Sequence, residues 1–194
     1  GGGGLAGAGL AHQAQAVARE SGGDRYVVYS REIHRDAASR KHMKRRTEKG
    51  HIVDIVTFGN FNVLVDGLPI LFRHEKSKEL LALLVDRRGG YATAESLIAF
   101  LWENESATER TYARLRKVAL RLRETLRSYG VEDIFESVSG KRRVVVERVN
   151  CDLYDYLAQD RSEREKFRGN YLVDYSWSED THGELISESM TGDL

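Results

Sequence analysis

The chain has 194 residues, 41% hydrophobic and 31% charged, enough for one or two modest globular domains. Thirty Lys and Arg balance thirty Asp and Glu, which argues against a chain that sticks to nucleic acid along its whole length. A single cysteine, Cys151, excludes an intrachain disulfide. No apolar run is long enough to cross a bilayer, and no charged leader with an apolar core opens the chain, so a cytoplasmic location is expected.

The charge is sorted by region. Residues 31–49 carry eight basic and three acidic side chains, whereas residues 170–194 carry six acidic ones and no Lys or Arg. Residues 1–23 are rich in Gly, Ala and Gln and read as a flexible lead, with one weak helical turn expected at 11–20. No Gly-Lys-Ser/Thr follows these glycines, so they are not a phosphate loop. Tyr26, Val27, Val28 and Tyr29 suggest a short strand, and residues 36–49 read as a helix or, in preference, a solvated basic linker. The folded part is expected to begin at Ile52. Short β-prone runs at 52–58, 62–65 and 68–72 are separated by Gly59-Asn60 and by the turn pair Asp66-Gly67, and Pro69 fits only an edge strand. A small antiparallel sheet is expected.

Two amphipathic helices follow, at 76–88 and, capped by Thr93, at 94–102. Residues 106–130 then read as one long helix closed by Gly130. Leu115, Ala119, Leu122 and Leu126 form its apolar seam, and seven basic residues oppose two acidic ones along it. Alone, such a helix would more often be a solvated one. After it come two strand-like runs, 134–138 and 143–147, around Ser139-Gly140-Lys141-Arg142. Sheet, two helices, basic helix and basic-tipped hairpin is the order of a winged helix-turn-helix. The expected class is therefore α+β, with the helix at 107–129 in the major groove of duplex DNA and the hairpin at 139–143 on backbone or minor groove.

Several stretches resemble a known family. F-G-N-F-N-V-L-V-D-G-L-P-I, K-S-K-E-L-L-A-L-L-V-D-R-R-G, L-I-A-F-L-W and V-A-L-R-L-R-E-T-L resemble the winged-helix domain of OmpR-type response regulators, in the branch shared with the antibiotic regulatory proteins (SARP). C-D-L-Y-D-Y-L and F-R-G-N-Y-L-V-D-Y-S-W-S-E resemble the opening of the bacterial transcriptional activator domain of that branch. The resemblance implies three regions: a flexible basic segment at 1–50, a winged helix at 51–149 and a short helical appendage at 150–194. It also implies a transcriptional activator that binds duplex DNA as a homodimer, with RNA polymerase as a further partner. Residues 1–50 are too short for a phosphorylatable receiver domain, which leaves two-component control open.

With that seam, Arg114, Lys117, Val118 and Arg121 are expected to project outward and meet bases, arginine on guanine and Val118 on a thymine methyl. Arg110, Arg116 and Arg123 are expected on phosphates, and Lys141, Arg142 and Arg143 at the hairpin on phosphates or in the minor groove. No nucleophile elbow or Ser-His-acid spacing appears, so no enzyme activity is expected. The six histidines lie in no metal-ligand spacing, so neither metal nor cofactor is expected. Cys151 reads as a small apolar residue. A rival reading uses the winged helix as a scaffold and the acidic, aromatic tail to bind RNA polymerase or a sensory partner. In a third, the tail masks the basic helix.

Overall fold

The computed structural model describes residues 44–103, 105–158 and 164–191. The expected lead, helical turn and strand before residue 44 lie outside the described residues. The described residues build a mixed α+β fold. Strands β1 (Val53–Val56), β2 (Asn62–Val65) and β3 (Leu68–Pro69) are followed by helices α1 (Glu75–Asp86), α2 (Ala94–Leu101) and α3 (Glu109–Ser128). Strands β4 (Phe135–Val138), β5 (Lys141–Val144) and β6 (Asn150–Cys151), then helices α4 (Asp152–Leu157) and α5 (Glu179–Thr191), complete it.

β1 and β2 pair antiparallel, with Val53 opposite Val65, and β3 forms the edge that accepts Pro69. Asp66 and Gly67 both adopt positive φ, the two-residue connection that suits the twist of the flanking strands. On the other side of β1 lies β6, parallel to it. The sheet therefore has a fourth strand, supplied by the chain after the hairpin, which the sequence pattern does not announce.

The helix caps follow the side chains. Thr93 accepts from the amide of Ser96 at 3.2 Å. Thr108 and Thr111 close a reciprocal box at the start of α3. At its end, Gly130 takes φ +74°, while its own amide and that of Val131 donate to the carbonyls of Arg127 and Leu126. This is the two-bond closure that left-handed glycine permits. Leu80, Leu81, Leu83 and Leu84 of α1 are fully buried beneath the α3 seam and the sheet.

Residues 44–49, expected within a solvated linker, are largely exposed but tied to the fold. Lys44 pairs with Asp54 at 3.0 Å, the amide of Arg45 donates to Asn150 at 3.0 Å, and Lys49 pairs with Glu132 at 3.1 Å. Lys44 and Lys49 are complemented by carboxylates from the sheet and from the turn after α3, whereas Arg45 and Arg46 donate to main-chain carbonyls.

The chain after β6 shares the same core. Leu153, Tyr156, Phe167, Tyr171, Leu172 and Leu185 lie in one apolar cluster with the residues of α1, α3 and the sheet. Phe58, Tyr156 and Phe167 form an aromatic triangle with centroids 5.1–5.8 Å apart. The amides of Leu172 and Val173 donate to the carbonyls of Thr57 and Gly59. The carboxylate of Asp152 accepts from the amides of Thr57, Phe58 and Leu153 and from the Thr57 hydroxyl. It bolts α4 to the end of β1.

Tyr171 is buried and donates to Asp86 at 2.7 Å, and Tyr154, half-buried, donates to the Val85 carbonyl at 2.8 Å. Burial first, then neighbouring negative charge, pushes both phenols well above their ordinary value of 10.0. A raised folded-state value means that their stabilisation is complete below the unfolded pKa and is lost as pH rises beyond it. Stability measured by urea unfolding should therefore fall once pH exceeds about 10, and Tyr171→Phe should flatten that fall. An alkaline limb equally steep in the variant would contradict this.

Candidate nucleic-acid interface

The buried stripe of α3 contains Thr111, Leu115, Val118, Ala119, Leu122 and Leu126. Val118 is 7% exposed, belongs to the core, and its carbonyl accepts from the buried Ser77 of α1. The expectation that Val118 faces outward is corrected: it widens the apolar seam. At 100° per residue, a seam containing Val118 as well as Leu122 rotates the outward face away from Arg114 and Arg121. The exposed positions are Glu109, Arg110, Ala113, Arg116, Lys117, Leu120, Glu124, Arg127 and Ser128, with Arg121 and Arg123 half-buried on the flanks. Leu120 is 55% exposed between Arg116, Lys117 and Arg121, an apolar side chain in a cationic field. It stands out of phase with the leucine seam, five residues after Leu115, and that phase was the signal available in the sequence.

Arg114 is engaged. One of its terminal nitrogens lies 2.5 and 2.6 Å from the two carboxylate oxygens of Glu105, and its guanidinium sits 4.4 Å from the centre of the Trp102 ring. Glu105 comes from the connection between α2 and α3, where its amide donates to the Trp102 carbonyl. Trp102 thus serves as a platform for Arg114 as well as packing against the core.

The hairpin is tighter than expected. Ser139 and Gly140 alone form the turn, with φ of 49° and 77°, so Lys141 and Arg142 are strand residues. Alternation then puts Arg142 and Val144 on the inner face. Arg142 is 7% exposed, and its main chain bonds in both directions with that of Ala92, at 2.8 and 3.0 Å. Its placement at an open tip is therefore corrected. One terminal nitrogen donates to the Gly140 carbonyl at 3.1 Å, and its Nε has no partner. Burial, then the positive charges of Arg116 and Arg123, lower its proton affinity.

Arg143 donates through Nε to Glu136 at 2.6 Å and lies over the Tyr91 ring. The Tyr91 hydroxyl also bonds Glu136. These bonds, the tyrosine's first, hold the Glu136 carboxyl below its usual range. Lys141 remains exposed at the tip beside Val138. Arg123 lies 5.3 Å from the Phe135 ring centre, which ties the flank of α3 to the hairpin.

The described part of the tail leaves the cationic face open. Arg110, Arg116, Lys117 and Arg127 are exposed, while Arg88 pairs with Glu184, Ser176 bonds Glu103, and Trp177 bonds Glu79. Tyr175 and Trp177 stack on each other at 5.1 Å. Cys151 is buried, and burial pushes its thiol up. No group of three or more His, Cys, Asp or Glu among the described residues could hold a metal, and no helix there is long and apolar enough to cross a membrane.

No family model and no curated protein matches the sequence. Among solved structures, the chain resembles Mycobacterium tuberculosis EmbR, solved in complex with a low-affinity phosphopeptide, with a TM-score of 0.60 and 19% identity. The match covers 73% of this chain and 43% of that one, so the chain spans less than half of EmbR's length. At that identity the likeness is one of fold.

Proposed function

We propose that the chain is a sequence-specific, double-stranded DNA-binding transcriptional regulator acting in the cytoplasm. In this reading α1, α2, α3 and the β4–β5 hairpin are a winged helix of the OmpR type, in the SARP-like branch, and the protein activates transcription. The observation that carries the reading is the open cationic face of α3 next to a two-stranded hairpin with Lys141 at its tip. A 20-residue helix with one buried stripe and one basic face can enter a major groove, while neighbouring cations set register on phosphates. The resemblance of the sequence motifs and the fold shared with EmbR support the same reading.

The rotation of α3 alters the roles within it. Lys117 and Leu120 are the central outward residues, with Arg116 and Arg121 beside them, and Arg110 and Lys141 reach backbone. Selection of bound duplexes from a random pool tests the proposal: a recurring motif of a few base pairs is expected, and a pool that stays random contradicts it.

Glu105 occupies the Arg114 guanidinium with a carboxylate, and in this reading it competes with a backbone phosphate. Removing that charge frees the guanidinium. Glu105→Gln should therefore bind duplex several-fold more tightly at low salt, with a steeper salt dependence. Equal or weaker binding by the variant would show that Glu105 does not compete with DNA.

A further inference from the structure

Alternation along a strand gives the sheet two faces. Val53, Ile55, Val63 and Val65 point into the core cluster with the helices. Asp54, Val56, Asn62 and Leu64 point the other way. Leu64 stands opposite Pro69 and Asp54 opposite Asn150, so this second face runs across all four strands. A sheet with one face on a core commonly turns the other to water. Here the middle of the second face is dry. Leu64 is 2% exposed and Val56 8%, yet neither belongs to the core cluster. The polar residues around them are satisfied from nearby. Asp54 holds Lys44, Asn150 exchanges hydrogen bonds with the main chain of Arg45, and Asn62 donates to the Asn60 carbonyl. What remains is an apolar strip of Val56, Leu64 and the half-buried Pro69, shielded within a single chain.

Two observations indicate which part of the chain shields it. Lys44 and Arg45 are held on this face, so the chain arrives over it from the residues before 44. Among those, residues 34–43 are mostly polar or charged, and residues 1–23 are rich in Gly and Ala, with large aliphatic side chains only singly at Leu5, Leu10 and Val17. Tyr26-Val27-Val28-Tyr29 is the one continuous run of large apolar side chains there, with Ile33 soon after. Reach is no obstacle. The chain from Tyr29 to Lys44 can extend over about 50 Å, and Leu64 lies directly across from Asp54, where Lys44 sits.

We infer that the outer face of the sheet, centred on Leu64 and Val56, is the docking surface for this chain's own residues 26–33. The apolar run supplies the cover that the strip needs. Docking there anchors the basic stretch 34–43 at both ends, at Ile33 and at Lys44. The inference does not rest on the regulator reading, and neither arm of its test uses DNA.

Photocrosslinking of the full chain locates the occupant. The photoreactive residue p-benzoylphenylalanine replaces Tyr26 and Tyr29 in turn, and the irradiated protein is mapped by mass spectrometry. At least one of the two positions should crosslink within its own chain to residues 54–56 or 62–69. A crosslinked dimer would mean that a second copy covers the face. That outcome, crosslinks confined to other parts of the chain, or none at all, overturns the inference.

A double-mutant cycle then reads the contact itself. Leu64→Ala should lower the urea midpoint of the wild type, and should lower it by roughly half as much or less when Val27→Ser and Val28→Ser are already present. If Leu64→Ala does not fold, Val56→Ala takes its place in the same cycle. An equal drop in both backgrounds means that residues 26–33 do not touch the strip, and overturns the inference.

Discussion

Replacing Asp152 with alanine is expected to cost about 3 kcal/mol of stability. The carboxylate accepts from three amides and one hydroxyl, at 2.6–3.0 Å. Without it, the amides of Thr57 and Phe58 lose their acceptor at the edge of the core, where water does not readily replace it. The Thr57 side chain is itself fully buried. Burial raises the Asp152 carboxyl above its ordinary value while the four donors pull it down. An asparagine at this position keeps one acceptor oxygen, so Asp152→Asn should cost less than alanine. Urea denaturation midpoints with an unchanged slope check this. A loss below about 1 kcal/mol would mean that water satisfies these donors. The same bolt joins β1 to the tail, so the alanine variant should loosen both together.

The second large effect lies on α3. Lys117→Ala should lose about 1–3 kcal/mol on a selected duplex, and Leu120→Ala should relax choice at one position where a thymine methyl is favoured. Arg114→Ala should lose much less, because that guanidinium is held by Glu105 and Trp102. Val118→Ala should change folding stability by about 1 kcal/mol through lost packing and leave base preference intact. Fluorescence anisotropy on the selected site and on its single-base variants separates these outcomes. Altered base choice in Val118→Ala with Leu120→Ala silent would place the opposite face of the helix in the groove.

Much of the frame was legible because it depends on local chemistry. Thr93 caps, Gly130 ends a helix, Asp66-Gly67 turns a hairpin and Pro69 occupies an edge, each for reasons contained within a few residues. The phase of α3 was legible only in part. Leucine periodicity locates a seam but not its width, and a β-branched residue at the margin can fall on either side. Val118 fell inward because α1 packs against it. The hairpin shows a second limit. Four turn-like residues suggested a wide loop, but two positive-φ residues suffice, and the shorter turn moved Arg142 from the tip to the inner face. Long-range pairings such as β6 with β1, Asp152 with Thr57 and Lys49 with Glu132 left no local trace, because their partners lie far apart in the chain.

The account turns on whether the cationic face of α3 meets a nucleic-acid backbone. The most direct measurement is the affinity of the full chain for a random-sequence duplex across a salt series from about 50 to 200 mM. The expected result is binding at low salt whose logarithm falls linearly and steeply with the logarithm of salt, with a shallower slope for the Arg116→Gln, Lys117→Gln double variant. Absence of binding at the lowest salt, or binding insensitive to salt and to both substitutions, would contradict it.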